Sequence, residues 1–103
     1  MRRVVVTGMG LVSPFGVGVE HGWKELLAGK TTAKTIEKFD LSDLPAKIAC
    51  SVPRGDGSNA TFSPDMFLEP KEQRKIGDFI IYGIAAADEA LKDAGWSPQT
   101  ADD

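Results

Sequence analysis

The stretch from Pro70 to Gly95, PKEQRKIGDFIIYGIAAADEALKDAG, constrains the fold more than any other. Its periodicity predicts one long amphipathic helix. Ile76, Phe79, Ile80, Gly83, Ile84, Ala87, Ala90, Leu91 and Ala94 recur at spacings of three and four, which places them on one face. Pro70 suits the first helical position, where a backbone N–H has no partner to lose. Gly95 suits the position just past the end, where a left-handed residue closes the last turn. The small residues Gly83, Ala86, Ala87 and Ala90 predict close approach of a neighbouring element.

The first turn of this helix breaks a local rule. Lys71, Arg74 and Lys75 fall at i, i+3 and i+4 and so share a face. They stand at the positive end of the helix dipole, where each cation is unfavourable by up to about 1 kcal/mol. Glu69 and Glu72 offset part of this. The plain interpretation is a solvated basic helix end. The functional one is a receptor for an anionic partner, built from three cations and the free N–H groups of a helix start.

Upstream, Arg3 to Thr7 predicts a buried strand, because Val4, Val5 and Val6 form an unbroken β-branched run. Gly8 and Gly10 follow it, as in a dinucleotide-binding turn. The third glycine of that fingerprint is replaced by Ser13, however, and Pro14 biases Ser13 away from helix just where the pyrophosphate needs a helix start. The glycines are better explained as letting Leu11 and Val12 run past close neighbours. Val19 to Ala28 predicts a short helix with an apolar stripe of Val19, Trp23, Leu26 and Leu27, ended by Gly29. Lys30 to Pro45 is a long connection anchored by Ile36, Phe39, Leu41 and Leu44. Ala46 to Val52 predicts a second strand, giving a βαβ unit and a parallel sheet. Pro53 to Ser63 predicts a surface loop in which Arg-Gly-Asp and Asn-Ala-Thr are chance tripeptides. Ser63-Pro64 predicts a short helical turn through Leu68.

Few residues offer chemistry. His21 lies off the apolar stripe of its helix, so it is expected to be exposed. Cys50 lies mid-strand without a helix start or a histidine beside it, so a small buried residue is expected in place of a nucleophile. No cluster has metal-ligand spacing. The net charge of −3 argues against general nucleic-acid binding, and no apolar run approaches the ~20 residues of a membrane span. One cysteine and no signal peptide point to a reducing, cytoplasmic setting.

The elements do not add up to a finished domain. Two strands and two helices cannot cover both faces of a parallel sheet. The 103 residues are expected to be the front portion of a larger α/β domain, or else an obligate oligomer that completes its sheet between subunits. An exposed apolar face from Ile76 to Leu91, marginal stability and self-association are expected with it.

Four stretches carry a resemblance: RRVVVTGMGLVSPFG at 2–16, GWKELLAGKT at 22–31, Phe39-Asp40, and KEQRKIGDFIIYGIAAADEALKDAG at 71–95. Together they resemble the N-terminus of the β-ketoacyl-[acyl-carrier-protein] synthases, condensing enzymes of bacterial fatty acid synthesis, and the KEQRK helix is most like the type II branch. The resemblance implies a thiolase-like α/β fold with residues 1–103 forming the N-terminal portion of its first half, no complete second domain, and a homodimer of the full-length protein. It implies decarboxylative condensation of malonyl- and acyl-loaded carrier protein through a cysteine thioester and two histidines, with no cofactor and no metal. None of those catalytic residues falls on a position of this chain, so Cys50 and His21 do not take their roles and the chain alone is expected to be inactive. One feature carries over: Lys71, Arg74 and Lys75 match the basic residues that contact the acidic helix of acyl carrier protein. The competing expectations are a non-catalytic ketosynthase-like partner of the chain-length-factor type and a nucleotide-binding α/β domain.

Overall fold

The computed structural model describes residues 1–102 as a mixed α/β arrangement with two small sheets. Its elements are β1 (Val12–Ser13), β2 (Gly16–Val17), α1 (Val19–Leu27), β3 (Lys34–Thr35), β4 (Ile48–Ala49), α2 (Pro70–Gln73) and α3 (Asp78–Ala94). Short 3₁₀ turns at Ser58–Ala60 and Pro64–Met66 lie between β4 and α2. β1 and β2 form a tight antiparallel hairpin with Val12 opposite Val17, and β3 and β4 pair antiparallel with Lys34 opposite Ala49.

Both sheets differ from the parallel βαβ unit expected. The Arg3–Thr7 segment forms no strand, and Val4, Val5 and Val6 are exposed. A central strand needs neighbours on both edges, and no described segment runs alongside it to take its N–H and C=O groups. The predicted strand Ala46–Val52 shortens to Ile48–Ala49, because its partner, from the connection taken to be irregular, offers only two residues. Cys50 lies just past this strand and is exposed, not buried, beside a β3–β4 ladder that is itself largely exposed.

The predicted single helix is two. α2 ends at Arg74, and the chain re-enters helix at Asp78 through Gly77, whose φ of −78° and ψ of 161° are extended. Glycine is a poor helix interior residue, and an acid at the following position suits a helix start, so the break has a local cause. The far end is as expected: Gly95 is left-handed (φ 66°), its N–H donates to Lys92 O, and the Trp96 N–H donates to Leu91 O, closing a Schellman turn.

The face that α3 buries is also not the one the apolar count picks out. Ile81 and Ala85 are buried, whereas Phe79 is 76% exposed and Ile80 and Leu91 line the open side. The buried side is recruited by two partners. The first is the glycine segment, which runs antiparallel along α3. A Cβ on Gly10 would overlap the Ala86 carbonyl, and one on Gly8 would overlap Ala90 and Ala94. Between these contacts, Met9 N–H donates to Asp93 Oδ2 (3.0 Å) and Leu11 N–H donates to Glu89 Oε1 (2.8 Å). Four helical residues rise about 6 Å and two extended residues about 6.6 Å, so carboxylates at i and i+4 match alternate N–H groups of an extended chain. The other Glu89 oxygen accepts from Val19 N–H (3.1 Å), serving the α1 terminus in place of a side-chain cap.

The second partner is the 53–68 segment. Its 63–68 part forms the short helical turn expected, but its 53–63 part, expected to be a surface loop, supplies the centre of the core: Phe62 is fully buried with Ile81 and Ala85, ringed by Val12, Val17, Val52, Phe67, Leu68, Ile76 and Tyr82. Its backbone bonds back to Pro53 O (2.7 Å) and Gly55 N–H (3.1 Å). The Phe62 ring stacks on Phe67 (5.8 Å, 8°) and meets Tyr82 edge-on (4.8 Å, 74°).

Candidate functional site

The basic segment occupies α2 and the turn after it. Pro70 opens the helix, and Lys71 stands in its only full turn. Arg74 is its C-terminal cap, and the Lys75 N–H donates to Glu72 O (3.1 Å), so one further turn follows before Gly77. All three cations are exposed. Lys75 Nζ lies 3.4 Å from Glu72 Oε1, a solvent-facing pair worth less than about 1 kcal/mol. Lys71 and Arg74 have no ion-pair partner among the described residues. Because the helix breaks at Gly77, the cations do not sit on the first turn of a long helix. Arg74 caps the C-terminus of α2, the end that favours a cation. For Arg74 and Lys75 the dipole conflict expected from the sequence therefore does not arise, while Lys71 stays at the start of a helix only four residues long; what the structure brings together is an exposed row of cations on a short helical ledge.

Two residues missed from the sequence fix this region, Gln73 on the ledge itself and Arg54 at the start of α3 that follows it. Gln73 Nε2 lies 2.8 Å from Asp65 Oδ1 and 2.8 Å from Leu68 O. Arg54 reaches from the preceding segment to the first residue of α3: its Nη2 is 2.9 Å from Asp78 Oδ2 and 3.3 Å from the Tyr82 hydroxyl. Its guanidinium stands 5.6 Å from the Phe62 ring centroid and 5.9 Å from that of Tyr82. The bond to Tyr82 and, after it, Asp78 raises the Arg54 pKa above its ordinary value against the opposing effect of burial. The only sequence signals were the position of Gln73 amid three cations and an arginine in an otherwise polar loop.

Neither candidate for chemistry is placed for it. His21 Nε2 is 3.0 Å from the Phe15 carbonyl, which can only accept, so the ring nitrogen donates. The ring is half-buried where exposure was expected, because it closes over the β1–β2 turn. Cys50 has no histidine beside it. Among the described residues no group of three or more His, Cys, Asp and Glu could hold a metal, and no helix is long and apolar enough to cross a membrane. The Gly8–Gly10 segment has no room for a pyrophosphate: it lies directly against the α3 backbone, and Ser13-Pro14 belongs to a hairpin, not a helix start. An open groove of ≈ 830 Å³ between α1 and α3, lined by Met9, Glu20, Trp23, Glu89 and Asp93 among others, is a seam whose Glu89 and Asp93 carboxylates are engaged by backbone N–H groups.

The family model described as "Beta-ketoacyl synthase, N-terminal domain" matches residues 1–103. The chain belongs to the β-ketoacyl synthase family. Among relatives of this ketosynthase chain, the 3-oxoacyl-[acyl-carrier-protein] synthase 2 of Rhizobium meliloti (strain 1021) is 56% identical over 103 residues, 100% of this chain and 24% of that protein. The protein of the same name from Vibrio cholerae serotype O1 is 44% identical over 94 residues, covering 91% and 21%. A solved structure titled "The ishigamide ketosynthase/chain length factor" matches with a TM-score of 0.75 at 35% identity, over 93% of this chain and 22% of that one. The ketosynthase chain thus spans about a quarter of the length of the curated relatives it matches. Its fold is that of a ketosynthase, of the thiolase-like class.

Proposed function

We propose that this chain is the N-terminal portion of a condensing enzyme of fatty acid elongation, and that it contributes part of the docking surface for acyl carrier protein through Lys71, Arg74 and Lys75. The reaction in this proposal is the decarboxylative condensation of malonyl-carrier protein with acyl-carrier protein to the 3-oxoacyl product. The observation that carries it is the full-length match to the ketosynthase family, with relatives named 3-oxoacyl-[acyl-carrier-protein] synthase 2. The exposed cations supply a matching physical feature: among the described residues Lys71 and Arg74 have no ion-pair partner and Lys75 has only a solvent-facing one, so positive charge is left to meet an acidic carrier. The catalytic cysteine and histidines are assigned to no residue of residues 1–103, so this polypeptide by itself is inactive. A homodimer and a cytoplasmic setting go with the same proposal. A non-catalytic partner of the chain-length-factor type has less support, because the relatives at 56% and 44% identity carry the synthase name.

The test is charge reversal. Arg74→Glu with Lys75→Glu in the native protein weakens acyl-carrier-protein binding by roughly tenfold or more at low ionic strength, and the difference shrinks as salt is added. Titration of fluorescent carrier protein at two salt concentrations reads both. An affinity that ignores the reversal sinks the docking proposal.

A further inference from the structure

We propose that Gln73 is the positioning residue of the basic ledge, the side chain that fixes the direction in which Lys71, Arg74 and Lys75 are presented; this rests on the docking proposed above. Three observations converge on it. First, α2 has four residues and no side-chain cap at its N-terminus, and a helix that short has no stability of its own in water. Its orientation is therefore set from outside. Second, the tether is Gln73. Its amide donates to Asp65 Oδ1 and to Leu68 O, both at 2.8 Å. Both partners are acceptors only, so the amide nitrogen, not the oxygen, must face them, and both N–H bonds are engaged. Third, the geometry of the turn separates tether from cations. At about 100° per residue, Lys71 points about 160° away from Gln73 and the cap residue Arg74 about 100°, and Lys75 follows in the next turn, closed by its N–H on Glu72 O. Their exposure, beside a half-buried Gln73, agrees. Asp65 and Leu68 belong to the segment carrying Phe67, which stacks on the buried Phe62, so the amide refers the ledge to the core.

The variant that isolates this role is Gln73→Met. Methionine keeps side-chain length, net charge and helix propensity but donates nothing. Asp65 is exposed and meets water when its partner is lost. In the native protein, Gln73→Met weakens acyl-carrier-protein binding roughly three- to tenfold, the span of one or two modest hydrogen bonds. The salt slope of binding stays as in the unaltered protein, because the charges are all present, whereas Arg74→Glu with Lys75→Glu changes that slope. Amide exchange accelerates over residues 70–76 while the thermal midpoint stays within a few degrees, a pattern that general unfolding does not produce. If charge reversal weakens binding and Gln73→Met leaves both affinity and local exchange unchanged, the positioning role is overturned and docking stands. If charge reversal has no effect, both fall.

Discussion

Glu89 makes one carboxylate serve two backbone segments, accepting from Leu11 N–H and from Val19 N–H at the start of α1. Glu89→Ala leaves both donors in a seam that water enters only partly, so the expected loss is about 2 kcal/mol. It reads as a lower urea midpoint with an unchanged slope. Asp56 gives a pH-dependent counterpart. The Ser58 hydroxyl and then the Ser58 N–H hold its carboxyl below the usual range. A lowered folded-state pKa means that this stabilisation is complete above the ordinary aspartate range and is lost as pH falls through the lowered value. Asp56→Asn therefore lowers stability slightly in the neutral region, leaves the acid end almost unchanged and so flattens the acid limb of the stability profile, as thermal melts from about pH 2 to about pH 7 would register. At this scale the sequence was legible where a residue's own backbone preference decides, as at Pro70 and Gly95. It was not legible at His21 or Cys50, whose surroundings are set by what packs beside them: a hairpin turn in one case, a largely exposed two-residue ladder in the other.

Among the elements, the 53–63 segment and the α2–α3 break depart furthest from expectation, and for opposite reasons. In residues 53–63, Gly, Ser, Asn and Pro surround one phenylalanine, so composition says loop while Phe62 sits at the centre of the core. Phe62→Ala removes a fully buried ring and its contacts with Phe67 and Tyr82, worth about 3–5 kcal/mol in a well-packed interior. That is comparable to the whole stability of a small domain, so the variant is expected to lose its near-UV circular dichroism and its cooperative melt. At the break, apolar periodicity runs through Gly77 without interruption, and only the Gly-Asp pair marks the new start. The basic ledge was legible as a motif, from the cations of KEQRK. Its attachment was not, because Gln73 bonds to Asp65 and Leu68 through side-chain geometry that periodicity does not encode.

For the whole molecule, surface area is the telling quantity. A compact protein of 11.0 kDa exposes about 5,600 Å² by the usual scaling, and this chain exposes 8168 Å². The radius of gyration, 16.8 Å, likewise exceeds the about 13 Å of a compact chain of this length. The excess is apolar in large part: Val4, Val5 and Val6 at the N-terminus, Trp23, Leu26 and Leu27 on α1, and Phe79 on α3 are all exposed. The sequence showed this imbalance through its count of elements before any coordinates were known. Residues 1–103 produced alone are expected to self-associate and to bind a hydrophobic dye. Sedimentation velocity across a concentration series reads the first, and a single monomeric species throughout would contradict it.

The antiparallel seating of Gly8–Leu11 along α3 also has a consequence in time. The contacts that hold this segment join residues 84 and 78 positions apart, Met9 to Asp93 and Leu11 to Glu89. At about 5–20 residues per second of synthesis, the segment waits roughly 4–17 seconds for its partner helix to be made. The seating of this segment is therefore a late step of folding, closed only once the turn of α3 that carries Glu89 and Asp93 has been made.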